Sequence, residues 1–165
     1  MLAAPIPAND AQRLQLLHDL LILDTAPEDR FDKIVFFAME EFEVPIATIS
    51  LVDEDRQWFK AKSGLSACQT ARDISFCGHA IHTPEVLLVE DALLDARFAT
   101  NPLVTGDPYV RFYAGAPLLM APGLAIGTLC LIDVRPRLLD EVDLAILRSL
   151  RDLVVAEISA GNKPR

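Results

Sequence analysis

The chain of 165 residues has no disulfide framework, no basic cluster and no long apolar run. Its three cysteines, Cys68, Cys77 and Cys130, are too few and odd in number to staple a scaffold, so they read as reduced thiols, with Cys130 a small hydrophobe in a strand. Fifteen Lys and Arg stand against 24 Asp and Glu, a formal charge of −9. An acidic surface without a cationic patch repels phosphate backbones, which excludes nucleic acid as an expected partner. Gly, Pro or charge interrupts every apolar stretch short of the roughly 18 residues a membrane helix needs, so no membrane insertion is expected. The N-terminus, MLAAPIPAND, lacks a basic region followed by an apolar core; no signal peptide and a cytoplasmic location are expected. Phosphate-cradling glycine loops, a dinucleotide fingerprint and a Ser-His-Asp arrangement are missing as well. There is no internal repeat or low-complexity segment.

What the chain does have is apolar content: 52% of residues are hydrophobic and 24% charged, enough for a core in one domain of ordinary size. Residues 1–8 read as an extended N-terminal segment, 9–160 as a single domain, and 161–165 as a tail or the start of a linker. Asn9 or Asp10 is placed to cap a first helix carrying Leu14, Leu17, Leu20 and Leu21. Thr25 to Glu28 fits a capping box for a second helix, whose Phe31, Ile34, Val35, Ala38, Met39 and Phe42 recur at helical spacing. Ile46 to Val52 reads as a buried strand and Gln57 to Lys62 as its returning partner. Strict alternation there puts Phe59 and Ala61 on one face, with a partly exposed Trp58, Lys60 and Lys62 on the other.

Residues 64–109 are irregular, with a short strand at Val86 to Val89 and short helices expected near 76–82 and 91–97. A long irregular segment inside a compact domain usually carries function. The stretch from Arg111 to Asp133 follows, two small-residue-rich runs joined by Pro122-Gly123. Its Gly and Ala positions leave room above the sheet for a ligand or a closely packed helix. Asp140 then caps a last helix with Ile146, Leu147, Leu150, Leu153, Val154 and Ile158 on its apolar stripe. The order of elements is that of an α+β domain around one antiparallel sheet, with both helical ends free to share a face.

Candidate site residues lie mostly in the irregular segment. Phe76, Cys77 and His79 could give an apolar wall, a thiol and an imidazole near a pocket, or simply a helix start packed on the sheet. Asp91, Asp95, Arg97, Asn101 and Asp107 could form a polar roof over a ligand or a solvated loop, with Asp91 and Asn101 capping turns and Arg97 paired to a carboxylate. Arg111 and Tyr113 share a strand face with Gly115, where Arg111 holds an anionic ligand or a nearby acid. Cys130 sits on the last strand. Cys68, Cys77, His79 and His82 lack the paired spacing of a zinc site, so no metal is expected.

The blocks LQLLHDLLILDTAPEDRFDKIV, VPIATISLVDEDRQWFKAKSGL, ISFCGHAI, LLVEDALLDARFATNPLVTGDPYVRFYAGAPL and GLAIGTLCLIDVRPRLL stand in one order over residues 11 to 160. Together they resemble a GAF domain, of the subgroup found in bacterial sensor kinases and diguanylate cyclases. The resemblance implies a central antiparallel sheet of five or six strands, terminal helices on one face, and on the other a ligand pocket roofed by an insert. It also implies a regulatory role: binding a small molecule of unknown identity, a homodimer through the terminal helices, and an output domain in a longer chain. No cofactor is named by it. The insert, DARFATNPLVTGD, lacks the motif of cyclic-nucleotide-binding members, and Cys77-Gly78-His79 breaks the Cys-His pair by which bilins attach. One enzymatic alternative stays open, a free methionine-(R)-sulfoxide reductase using Cys68 and Cys77; a third cysteine that those enzymes place before the long hairpin is missing between Asp107 and Phe112. A pure interaction module without ligand is the other alternative.

Overall fold

The computed structural model describes residues 1–161; the tail expected at 162–165 lies outside them. Six strands form one antiparallel sheet in the order β3-β2-β1-β6-β5-β4. They are β1 (Ile46–Val52), β2 (Arg56–Ser63), β3 (Gln69–Ala71), β4 (Leu87–Val89), β5 (Phe112–Ala121) and β6 (Leu124–Asp133). The helices are α1 (Asp10–Asp19), α2 (Asp29–Phe42), the short α3 (Cys77–Ala80) and α4 (Pro102–Thr105), and the long α5 (Glu141–Ala160). This is the α+β architecture expected.

Helices α2 and α5 pack together on one face of the sheet. Phe31, Val35 and Ala38 of α2 meet Leu147, Leu150 and Val154 of α5 over Ile49, Leu51, Ala114, Ala116, Leu129 and Leu131 of the strands, all buried. Asp140 caps α5 as expected, its carboxylate accepting from the Asp143 amide while the Asp143 side chain accepts from the Asp140 amide. On the opposite face, the segment between β2 and β5 folds back over the sheet through α3, α4 and two 3-10 turns, at Arg72–Ile74 and Ala92–Leu94. Gly64 ends β2 with φ +81°, and any side chain there would collide with the Pro45 carbonyl.

Four sequence expectations are corrected. The Thr25 to Glu28 capping box does not form: α2 begins at Asp29 and no side chain caps it. Thr25 Oγ1 instead donates to the Ile22 carbonyl and accepts from Lys60 Nζ at 2.7 Å. Asn9 precedes α1 without a side-chain cap, its amide donating to the Gly123 carbonyl, while Asp10 binds Arg13 and Arg72. The alternation of β2 is broken by a bulge: Ile49 pairs with Ala61 and Ser50 with Phe59, leaving Lys60 as the extra residue. Phe59 therefore faces the insert while Ala61 and Trp58 face the helices, Trp58 being buried rather than partly exposed. Lys60 is buried too, its ammonium 2.7 Å from Glu28 and 5.7 Å from the centre of the Phe31 ring. Finally, Leu153 points away from the core and is 54% exposed, because the stripe buried by the sheet is only Leu147, Leu150, Val154 and Ile158.

The N-terminal residues run across the insert. Leu2 N donates to the Arg97 carbonyl and Ala4 N to the Asp73 carbonyl. Behind them a charge cluster joins α1 to the turn after β3. Arg13 and Arg72 are both buried and converge on Asp10, with Arg72 Nη2 at 2.7 Å and Arg13 Nε at 2.9 Å. Burial alone would raise the Asp10 carboxyl; the hydrogen bonds from Arg72 and Arg13 overcome it and hold the carboxyl below its ordinary range.

Candidate functional site

The inner face of the insert meets the sheet around a void of about 40 Å³. Strands β1 and β6 supply its polar floor. Thr48 and Ser50, two residues apart, point to the same side of β1, and so do Thr128 and Cys130 of β6. Gln57 and Phe59 of β2 and Tyr113 of β5 complete the walls, and α3 places Phe76 and Cys77 above them. Leu65, Leu103 and Pro108, all half-exposed, form the roof.

Phe76 is held by stacking on Phe98 at 4.1 Å and by a tilted contact with Tyr113 at 5.1 Å. That clamp fixes the start of α3 and so the position of the neighbouring Cys77 thiol. The Tyr113 hydroxyl donates to Cys77 Sγ at 3.2 Å, and Thr128 Oγ1 lies 3.0 Å from the same sulfur. Cys130 Sγ lies 2.8 Å from Thr48 Oγ1, which in turn sits 2.7 Å from Ser50 Oγ. Burial pushes the Cys77 thiol up, but the Cys130, Thr128, Tyr113 and Ser50 groups around the sulfur more than offset it and bring it down to about 7. Cys130 goes the other way, raised by its hydrogen bond to Cys77 and by burial. Tyr113 is raised by burial and by the neighbouring Cys77 charge. One group in this wall is unsatisfied. Gln57 gives its amide to Thr70 Oγ1, while its buried Oε1 has no partner.

Of the residues singled out from sequence, Phe76, Cys77, Tyr113 and Cys130 come together here. The other four lie elsewhere. His79 turns away, its Nε2 at 3.2 Å from the Leu2 carbonyl and its ring edge on Phe98; burial lowers its pKa. Asp91 caps the 3-10 turn at Ala92 through the Leu93 amide. Arg97 pairs with Asp95 at 2.7 Å, and Arg111 is spent on the carbonyls of Val104 and Val110. None of these is free to hold an anion in the void. Cys68 is exposed and outside the lining, so the thiol beside Cys77 is Cys130. Among the described residues no cluster of His, Cys, Asp and Glu is arranged to hold a metal, and His82 meets the Pro5 carbonyl.

The small-residue floor has two separate uses. Ala114 and Ala116 lie under the helices, whereas the space above Gly115 is taken by Tyr113, whose hydroxyl would lie 2.2 Å from a Cβ at Gly115. A larger hollow, about 180 Å³, opens between the α1–α2 link and the end of α5, but its charges are already paired, Glu28 with Lys60 and Arg30, and Arg30 with Glu157.

Known proteins share this sheet flanked by helices. The family model described as GAF domain matches residues 26–158. The chain belongs to the GAF domain family. A cyclic di-GMP phosphodiesterase of Pseudomonas aeruginosa is 45% identical over 159 residues, 96% of this chain. This GAF domain spans only 27% of that relative's length. Among solved structures, the GAF domain of an Acinetobacter phosphoenolpyruvate-protein phosphotransferase superposes with a TM-score of 0.65 at 19% identity, covering 90% of this chain and 94% of that one. A free methionine-R-sulfoxide reductase of Neisseria meningitidis gives a TM-score of 0.65 at 20% identity, with 98% of each chain covered. At such identities these likenesses show the shared fold alone.

Thr48, Ser50, Gln57 and Thr128 were not among the site residues expected from sequence. A signal for three of them is present. Polar residues two apart in otherwise apolar strands, Thr48 with Ser50 and Thr128 with Cys130, mark one buried face that is not hydrocarbon. Gln57 carries no comparable mark, because its burial depends on the insert.

Proposed function

We propose that this GAF domain is a regulatory sensor of bacterial signal transduction: the void under the insert takes a small molecule, and its occupancy is passed to the terminal helices. The observation that carries this reading is the alternation of β5 and β6 between the two faces. Tyr113 and Cys130 line the void, while their chain neighbours Ala114, Leu129 and Leu131 lie in the core under α2 and α5. A shift on one face is one residue from the other. A ligand transmits only if it binds two arrangements with different affinity. The half-exposed roof of Leu65, Leu103 and Pro108 is the part that separates them, since a void of 40 Å³ must widen to hold a metabolite.

The receiving end is a homodimer interface on α2 and α5. Phe37, Val142 and Leu153 are each more than half exposed there, beside Ala145 and Ile146. By likeness to the phosphodiesterase relative, the output is a cyclic di-GMP signalling domain in a longer chain. The small void favours one second reading, an interaction module that dimerises without any ligand. Native mass spectrometry of freshly purified protein, set against its denatured mass, separates the two. A retained small molecule supports the sensor; a bare dimer whose stability no metabolite pool alters supports the module.

A further inference from the structure

We propose that Cys77 and Cys130 form a dithiol that a small neutral hydroperoxide oxidises to a disulfide, with the void beside Cys77 as the peroxide's seat. The proposal takes the site read above as a sensory input and names a chemistry for that input.

Four observations converge on it. The two thiols share one buried cluster, with hydroxyls of Tyr113 and Thr128 on Cys77 and of Thr48 on Cys130. None of the side chains lining the void is Asp, Glu, Lys, Arg or His, so a neutral guest is favoured over a phosphate or an amino-acid zwitterion. The volume, about 40 Å³, admits a guest of a few atoms and is too small for a nucleotide. Gln57 Oε1 is a buried acceptor without a donor, which a peroxide O–H would satisfy.

The chemistry balances in two steps. The Cys77 thiolate attacks one peroxide oxygen and the O–O bond breaks. The departing hydroxide takes a proton and leaves as water, so Cys77 becomes a sulfenic acid. The Cys130 sulfur then attacks the Cys77 sulfur, its thiol proton leaves with the sulfenic oxygen as a second water, and the S–S bond forms. Overall, two thiols are oxidised and one hydroperoxide is reduced. The thiolate needed for the first step is the form that the surrounding donors favour, at about pH 7. The titratable groups facing it are Tyr113 from β5 and Cys130 from β6, both held protonated by their upward shifts. The product ties α3, over which the N-terminal residues run, to the strand that also packs against α5.

The test uses the Cys68→Ser protein, so that only the two buried thiols remain. It is exposed to hydrogen peroxide, quenched, unfolded and alkylated, and its peptides are mapped. The expected result is a Cys77–Cys130 linked peptide formed about fifteenfold faster at pH 7 than in the same protein unfolded in urea, the ratio given by thiolate fractions for thiols near 7 and near 8.5. Removing Cys130 as well (Cys68→Ser with Cys130→Ser) should leave a Cys77 sulfenic acid that dimedone traps, and Tyr113→Phe should slow the linkage several-fold. Oxidation no faster than in the unfolded chain, or dimedone capture with no linkage while both thiols are present, overturns the proposal. Either failure leaves ligand retention in native mass spectrometry untouched. Conversely, a disulfide that leaves hydrogen exchange in α5 unchanged removes the sensor reading and keeps the chemistry.

Discussion

On one face of the sheet, Ala114, Ala116, Leu129 and Leu131 close against α2 and α5 in a densely apolar core. On the other, the same two strands turn Tyr113 and Cys130 toward four-residue helices and 3-10 turns, around a void and an unsatisfied amide oxygen, with Thr128 against Cys77. The contrast separates two tasks. Long helices on an apolar face give stability and a fixed shape. Short elements over hydroxyls and thiols leave a face that can rearrange at little cost, because its hydrogen bonds can be exchanged for others. The proposed sensing belongs to the second face and its proposed transmission to the first.

The largest effect should come from the closed face. Phe31→Ala removes a fully buried ring beneath Lys60 and should cost about 3–5 kcal/mol in urea unfolding. A loss below about 1 kcal/mol would mean that the helix-side core is not the rigid one. Next, Asp10→Asn leaves Arg13 and Arg72 buried without their shared carboxylate and should cost about 3 kcal/mol at pH 7. Because the folded Asp10 pKa lies below its ordinary 3.8, that stabilisation is complete above the ordinary value and is lost as pH falls through the folded one. The gap between the two melting temperatures should therefore close on acidification below pH 3.8. Smaller again is Tyr113→Phe, which keeps the ring against Phe76 and removes one donor to Cys77, at about 1 kcal/mol. Its signature is chemical: the pH at which Cys77 becomes alkylatable should rise above its present value of about 7.

These residues also show how far the sequence was legible. The helices, the β1–β2 pair, the long hairpin and the cap at Asp140 follow from periodicity and turn chemistry that act within a few residues. Lys60 and Thr25 do not, because their roles depend on a bulge that forms only when β2 pairs with β1. The site divided in the same way. Phe76, Cys77, Tyr113 and Cys130 are apolar or weakly polar groups at positions facing the sheet, and they converge. Asp91, Arg97 and Arg111 stand out in the sequence by their charge, and charge in an insert of this length is satisfied locally, by an amide, by Asp95 and by two carbonyls. Sequence position does not reveal such short-range pairing.

The smallest expected effect on stability is at the outer surface of α5. Leu153→Asp should change unfolding free energy by less than about 0.5 kcal/mol, since the side chain is exposed. It should nonetheless shift sedimentation from dimer to monomer. An unchanged oligomeric state with intact fold would remove the α2–α5 face as the interface. Leu150→Asp cannot serve this purpose, because Leu150 is buried in the core and its loss would unfold the domain.

Hydrogen exchange of the purified protein, read peptide by peptide, compares the two faces most directly. The account predicts that amides of the insert, residues 64–111, exchange through local openings well below the global unfolding free energy. Those of β1, β6 and α2 should exchange only at the global value. A single common free energy for both sets would contradict the account, since the face proposed to sense would then be as fixed as the face proposed to carry the signal.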